Sequence, residues 1–163
     1  MFTTSQNTLV ISFLDYLKFE KRYSQHTIVS YQNDLEQFFQ FLLSQFEVVA
    51  INEVTATMVR SWLAELKTDA MTAKSINRKI SSLKSFFKYY LKTGVLKVSP
   101  MTTITSPKIS KRLPSFIDEK HLDTLFNHVH FSDSWEDITK KLVLILLYNT
   151  GMRLSELIHL KVS

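Results

Sequence analysis

The stretch from residue 72 to residue 92, TAKSINRKISSLKSFFKYYLK, predicts one long amphipathic helix. At about 100° per residue, one face of this helix is apolar and consists of Ile76, Ile80, Leu83, Phe87 and Tyr90. The opposite face carries cations and hydroxyls, from Lys74, Arg78, Ser81, Ser85, Lys88 and Lys92. The apolar face requires other elements to cover it, and the basic face is left for solvent or for an anion.

Three further helices are predicted before this one. The first runs from about Gln6 to Glu20, the second follows the N-cap Ser24 and extends to about Phe46, and the third follows the N-cap Thr55. The whole sequence of 163 residues has only two glycines and three prolines, which favours long helices over an all-β fold. Four helices with short connections predict an all-α bundle.

The positive charge is concentrated in one part of the chain. The formal net charge is +5, yet residues 74–112 contain ten basic and no acidic residues, and the rest of the chain contains ten basic and fifteen acidic. Such a segment attracts a polyanion, and the commonest one in the cytosol is nucleic acid. A solvated helix face without any partner is the alternative interpretation of the same pattern.

The helical periodicity stops between Val98 and Pro114, where prolines alternate with threonines and serines. This composition predicts a linker with basic residues at Lys108, Lys111 and Arg112, and a simple flexible tether is the alternative. We therefore expect a helical domain over residues 1–98, a linker over 99–114 and a second unit over 115–163.

The second unit is predicted to be helical as well. A helix from Phe116 to His130 could be capped by Asp118, and a buried helix over Leu142 to Tyr148 should end at Gly151, which accepts a left-handed C-cap. Arg153 then begins another helix, where packing on both sides is expected to hold it. A guanidinium fixed in this way suits two phosphate oxygens, although a structural salt bridge is the alternative role.

The segment Thr150-Gly151-Met152-Arg153-Leu154-Ser155-Glu156-Leu157 resembles the first conserved box of the tyrosine recombinases, the phage-integrase and Xer-like enzymes. The resemblance implies that Arg153 is the first catalytic arginine. It also suggests that Glu156 supports Arg153 by holding the turn or the guanidinium through a charge-assisted bond. A plain surface glutamate is the alternative for Glu156.

The first hundred residues resemble the SAM-like core-binding domain of Xer-type recombinases. The resemblance is carried by Tyr23-Ser24-x-x-Thr27-x-x-x-Tyr31-x-x-Asp34-Leu35-x-x-Phe38 and by the run from Ser75 to Phe87. It implies that the second and fourth helices face DNA, with Thr27 and Arg78 among the contacts, whereas Tyr31, Asp34 and Leu35 are packing residues. Together with the basic face and the linker, the candidate DNA-binding set is Thr27, Lys74, Arg78, Ser81, Ser85, Lys88, Lys108, Lys111 and Arg112.

In the mechanism that the resemblance implies, a tyrosine hydroxyl attacks a DNA phosphate and forms a 3′-phosphotyrosyl link without a metal or nucleotide cofactor. Of the family's catalytic groups, this sequence contains only Arg153. The six tyrosines all precede or adjoin the first box, so none of them is the nucleophile. The 163 residues are therefore predicted to bind duplex DNA as the N-terminal part of a recombinase, followed by an incomplete catalytic domain, and not to cleave it.

Composition narrows the remaining classes. The absence of cysteine rules out disulfides and thiolate metal sites, and His121, His128 and His130 lack the ligand spacing of a metal site, so we expect no metal and no cofactor. No apolar run approaches the roughly 18 residues of a membrane span. The expected location is cytoplasmic.

The expected partner is a double-stranded recombination site. A full-length protein is expected to act there as a homo-tetramer, or as a hetero-tetramer with a sister recombinase. Two alternatives remain from the sequence: a non-catalytic DNA-binding regulator, and a helical protein-interaction module whose basic face meets an acidic partner. Binding to duplex that falls steeply with salt would favour the DNA-binding interpretations.

Overall fold

The described backbone consists of helices, turns and irregular connections, and no strand occurs in residues 4–48, 50–109 and 116–161, which the computed structural model describes. The first four helices are α1 (Thr4–Asp15), α2 (Gln25–Phe46), α3 (Ala56–Thr68) and α4 (Ala73–Lys92). A π-helical turn (Tyr16–Glu20) extends α1, and a 3₁₀ turn (Ile51–Glu53) precedes α3. The predicted all-α fold is thereby confirmed.

Side-chain caps define where these helices begin. The hydroxyls of Ser24, Thr55 and Thr72 each accept a hydrogen bond from the backbone N–H three residues later, at 3.4, 3.3 and 3.3 Å. Each such cap stabilises its helix by roughly 1 kcal/mol. Ser24 and Thr55 are the N-caps that the sequence predicts.

The core of the bundle is built largely from aromatic rings. Its largest fully buried side chains include Trp62, Phe13, Phe38, Phe39, Phe86 and Phe87. Phe13 and Phe86 lie edge to face with ring centroids 5.4 Å apart, and Phe38 and Trp62 do so at 5.0 Å. Such pairs add roughly 0.5–1.5 kcal/mol beyond the burial of their area. These contacts fix α1, α2, α3 and α4 against one another.

The segment predicted as a linker begins on the bundle. Met101 and Ile104 are buried in the core of the first unit. The Arg60 guanidinium donates to Thr103 at 2.8 Å, and the Asn77 amide donates to the carbonyl of Pro107 at 2.9 Å. The chain divides into two compact units, Met1–Lys111 and Arg112–Ser163, and this division falls within residues 99–114, the stretch predicted as a linker. The buried side chains of Met101 and Ile104 and these two hydrogen bonds dock the stretch on the bundle, although its sequence has no helical period.

The second unit contains α5 (Glu119–Asp123), a π-helical turn (Thr124–His128), α6 (Trp135–Thr150) and α7 (Leu154–Ile158). The predicted cap Asp118 accepts from the Lys120 N–H at 3.4 Å, so the helix begins after Asp118 and not at Phe116. Gly151 ends α6 at φ 63°, as its sequence position predicts.

The prediction of a buried helix before Gly151 was wrong. Leu142 is 53% exposed and Tyr148 is 59% exposed, and none of the described side chains of α6 is buried. The reason is geometric, because α5 and α7 have five residues each and cannot cover the apolar side of a helix of sixteen residues.

No helix among the described residues is both long enough and apolar enough to cross a membrane.

Candidate nucleic-acid interface

The two faces of α4 separate as the helical period predicts. Ile76, Ile80, Leu83, Phe86, Phe87 and Tyr90 are buried. Lys74, Arg78, Ser81, Lys88 and Lys92 are exposed, and Ser85 is half-buried. We call this exposed set, together with Ser85, the basic face of α4. Packing of the apolar side against α2 and α3 thus orients the cations outward.

A buried carboxylate lies beneath the basic face. Asp34 on α2 is fully buried, and its carboxylate accepts from Arg78 Nη1 at 2.6 Å, Lys79 Nζ at 3.0 Å and Ser82 Oγ at 2.8 Å. Lys79 is itself buried and also donates to Gln37. Because the sequence shows no acidic residue near these cations, their pairing was missed; the partner comes from another helix. Of the eight cations between residues 74 and 108, all of them described, Arg78 and Lys79 are therefore paired.

The Arg78 side chain is hydrogen-bonded to α2 through one nitrogen and is otherwise partly exposed. Its Nη1 atom donates to Asp34 and to Ser30 Oγ, the latter at 2.6 Å, while 49% of the side chain remains exposed. A guanidinium carries five N–H donors, and no hydrogen bond links its Nε or Nη2 to another described residue. Asp34 thus holds Arg78 in one orientation and leaves donors available to an anion.

A cleft of about 360 Å³ brings together three of the predicted site residues. Thr27, Arg78 and Ser81 line it with His26, Ser30, Tyr31 and Ser82. The Thr27 hydroxyl lies 2.9 Å from the hydroxyl of the N-cap Ser24, so it stands at the start of α2. Hydroxyl, guanidinium and imidazole groups converge here, and none of the described lining residues is acidic. This cleft between α2 and α4 can accept a phosphate oxygen.

A second cleft of similar volume lies farther along α4. Ser85 and Lys88 line it together with several tyrosines, and Tyr31 borders both clefts. The Tyr31 hydroxyl is 3.4 Å from Ser85 Oγ. From the sequence, Tyr31 is a predicted packing residue and Tyr23 is only part of the family motif, and no role is predicted for Tyr16 or Tyr89. The gathering of these tyrosines around one cleft is a tertiary property that local spacing does not reveal.

The remaining predicted DNA contacts lie apart from these clefts or outside the described residues. Lys74 is exposed in the first turn of α4, and Lys108 is exposed directly after Pro107. Lys111 and Arg112 lie outside the described residues.

In the second unit, hydrogen bonds hold Arg153 at the start of α7. The Arg153 N–H donates to Glu156 Oε2 at 2.8 Å, and Nη1 donates to Oε1 of the same carboxylate at 2.8 Å. These two bonds, the backbone one first, lower the pKa of Glu156. The carboxylate thus binds both the turn and the guanidinium, as proposed from the sequence.

The expected packing on both sides of Arg153 is absent from this turn. The Arg153 side chain is 82% exposed and its neighbour Leu154 is 62% exposed. Without apolar cover, the hydrogen bonds alone fix the local geometry. An exposed guanidinium with a single carboxylate partner retains donors for a phosphate.

The described residues contain no group of three or more His, Cys, Asp or Glu that could hold a metal ion. His128 Nδ1 lies 3.9 Å from Asp123 and is more than half exposed. The expectation that the protein needs no metal stays a prediction.

A family model described as the phage integrase N-terminal SAM-like domain matches residues 10–94. These residues span α2, α3 and α4 and the second half of α1, so the match includes the basic face of α4 and both clefts.

Three bacterial proteins named tyrosine recombinase XerC match nearly the whole chain. The protein of Rickettsia bellii (strain OSU 85-389) is 35% identical over 162 residues, covering 96% of this chain and 53% of the relative. The protein of Listeria innocua is 37% identical over 153 residues, covering 94% and 51%. The protein of Bacillus licheniformis is 40% identical over 151 residues, covering 93% and 49%. The chain therefore spans about half the length of these curated relatives.

A similar solved structure is that of the Tn1549 transposon integrase (residues 82–397) in complex with circular intermediate DNA. The TM-score is 0.61 at 15% sequence identity, and the match covers 94% of this chain and 49% of the integrase chain. At this identity the likeness shows a shared fold.

Proposed function

The chain belongs to the phage integrase family through its N-terminal SAM-like domain, and on that premise we propose that it forms part of a tyrosine site-specific recombinase. In this proposal the first unit binds duplex DNA through the basic face of α4 and the start of α2. The observation that carries the proposal is the outward row of Lys74, Ser81, Lys88 and Lys92 on a helix whose other side is buried.

The chemistry of that face suits a duplex. Lysines neutralise backbone phosphates and release counterions, which supplies affinity without sequence preference. The small side chains of Ser81 and Ser85 let the helix approach closely, and a major groove about 12 Å wide admits an α-helix. Arg78, oriented by Asp34, offers its remaining donors to a phosphate or a base edge.

The second unit contributes Arg153. We propose that its guanidinium stabilises negative charge on the non-bridging oxygens of the DNA phosphate while a tyrosine hydroxyl attacks phosphorus. The bond to the 5′ oxygen breaks as the 3′-phosphotyrosyl bond forms, and reversal of this step on a new strand rejoins the DNA. Side chains supply charge stabilisation and proton transfer, so the proposed reaction uses no metal or nucleotide cofactor. Glu156 positions the arginine.

We propose that these 163 residues bind DNA and do not cleave it. They include the catalytic Arg153, but none of their tyrosines follows it in the position of the family's nucleophile. The matched relatives are about twice as long. In a longer protein, the proposed partner is a duplex recombination site that is occupied in the cytoplasm by four copies, or by two copies each of this protein and a sister recombinase.

The experiment that tests the DNA-binding face is the salt dependence of duplex affinity. Lys88→Gln should reduce the slope of log K against log salt by about 0.9, because one phosphate contact is lost. Lys88 is a sharper choice than Arg78, which also pairs with the buried Asp34. Lys67→Gln, which changes an exposed lysine at the end of α3, serves as the matched control.

The outcome separates the competing functions. A reduced slope for Lys88→Gln and an unchanged slope for Lys67→Gln supports the proposed face. Equal slopes for the two variants and the unmodified chain would refute it, and failure to bind any duplex would favour a protein-interaction module.

A further inference from the structure

Beside the basic face of α4 lies an aromatic cleft of about 360 Å³, which we call the tyrosine cleft. Its walls come from α1 with its π-helical turn, from the start of α2 and from the second half of α4. Tyr16, Tyr23, Tyr31 and Tyr89 line it. Its volume is near the lower end of pockets that hold small ligands, roughly 300–1,000 Å³.

The tyrosines of this cleft are only partly covered. Tyr16, Tyr31 and Tyr89 are half-buried, and Tyr23 is 43% exposed. The rings of Tyr16 and Tyr89 have centroids 4.7 Å apart at an interplanar angle of 34°, and those of Tyr23 and Tyr31 are 6.2 Å apart at 41°. Two tilted ring pairs thus border one open space. Aromatic faces of this kind accept a further flat ring.

The charge of the cleft selects an anionic occupant. Lys21, Lys88 and Lys92 line it, and none of its described lining residues is acidic. Lys21 Nζ lies 5.7 Å from the centroid of the Tyr16 ring, so one cation is held against an aromatic wall. A ligand that combines a flat ring with negative charge matches both properties.

The position of the cleft favours nucleic acid over an acidic protein segment. Ser85, Lys88 and Lys92 belong both to the cleft and to the basic face of α4, and Tyr31 also borders the cleft between α2 and α4. A nucleotide that leaves a duplex bound on that face would reach the tyrosines without moving past another element.

We propose that the tyrosine cleft binds one unpaired nucleotide of the bound DNA. The base stacks against the tyrosine rings, and Lys21, Lys88 and Lys92 contact the flanking phosphates. This inference rests on the proposed function, because the cleft serves a duplex bound on the basic face of α4. Strand exchange requires bases to leave one partner and pair with another, and the cleft would stabilise DNA at a locally unpaired step.

The test compares two duplexes that share one strand, which carries 2-aminopurine at the same place in both. In the first duplex the 2-aminopurine is paired, and in the second the complementary strand lacks the opposing nucleotide, so that the 2-aminopurine is the single extra nucleotide. The 163-residue chain should bind the bulged duplex roughly tenfold more tightly, since stacking of one base on aromatic side chains gives an effect of this order. Stacking should also quench the 2-aminopurine fluorescence of the bulged duplex alone.

Tyr23→Ala should abolish the preference and the quenching while leaving affinity for the paired duplex unchanged. Tyr23 is suited to this test because its exposure limits any effect on folding. Tyr23→Phe should retain the preference, since the ring remains. Phe19→Ala removes another exposed ring of the same unit, at 68% exposure and outside the cleft, and should change nothing.

The outcomes are separable. Equal binding of the two duplexes, or a preference that survives Tyr23→Ala, overturns the inference and leaves the proposed function intact. Absence of binding to both duplexes removes the proposed function and the inference with it. If the chain shows no preference for the bulged duplex and instead binds polyglutamate at the tyrosines, the inference is overturned and the cleft is assigned to an acidic protein segment.

Discussion

Asp34 illustrates how a single residue links stability to the candidate site. Its fully buried carboxylate receives hydrogen bonds from Arg78, Lys79 and Ser82, all on α4. These bonds join α2 to α4 and orient the guanidinium of Arg78. Replacement of a paired buried charge leaves its partner buried and uncompensated, which is much costlier than the loss of a surface ion pair.

Asp34→Ala should lower the free energy of unfolding by about 3–5 kcal/mol, because Lys79 would stay buried without its carboxylate. Urea denaturation followed by circular dichroism measures this change. Asn33→Ala, at the exposed neighbouring position of α2, is the control and should change stability by less than about 0.5 kcal/mol. Similar values for the two variants would show that the cluster contributes little.

Sequence reasoning found the exposed side chains of the site and missed the buried pairing. Lys74, Ser81 and Lys88 were predicted correctly to lie on one exposed face, because helical spacing alone decides which side chains share a face. The pairing of Lys79 with Asp34 joins residues 45 positions apart, and no local period contains such information.

At the scale of single elements, helix ends decide local stability. Glu47 ends α2 in the left-handed region at φ 54°, where a Cβ atom is disfavoured. Its N–H donates to the carbonyls of Leu42 and Leu43, so the position closes the helix. Glycine is the residue that normally occupies this place.

Glu47→Gly should therefore stabilise the first unit by up to about 1 kcal/mol, since relief of backbone strain exceeds the entropy that glycine adds to the unfolded chain. Thermal denaturation measures the effect. Gln45→Gly, at an exposed site inside α2, should instead destabilise by about 1 kcal/mol. Destabilisation by both variants would contradict the role assigned to Glu47.

The start of α7 should respond to pH through Glu156. Hydrogen bonds from Arg153 lower the pKa of Glu156, so the carboxylate stabilises the folded turn at pH values above its unfolded pKa. That stabilisation is lost as pH falls through the lowered folded pKa. In an NMR titration, the Glu156 carboxyl carbon should have its midpoint below that of the same residue in the urea-unfolded chain.

The control for this titration is Arg153→Ala, which removes the guanidinium bond and keeps the backbone N–H. Its midpoint should lie between those of the folded and unfolded chain. A Glu156 midpoint that is identical in folded and unfolded protein would mean that neither bond persists in solution.

At the scale of the whole molecule, the sequence predicts the bundle better than the unit that follows it. Amphipathic periods and two of the caps placed the first four helices, since α2, α3 and α4 each bury one face. The stretch predicted as a linker begins with buried side chains, because Met101 and Ile104 dock on the bundle through tertiary contacts that no local pattern shows. In the second unit the apolar run of α6 predicts a buried helix, yet burial depends on the elements that cover it, and none of its described side chains is buried.

The central claim is that the first unit binds duplex DNA with the basic face of α4 and the start of α2. Amide chemical shifts of the ¹⁵N-labelled chain, followed during titration with a duplex, test it most directly. The account predicts shifts at Lys74, Ser81, Lys88 and Thr27 and little change at exposed Lys67 on α3. Shifts centred on α3, or none at all, would contradict it.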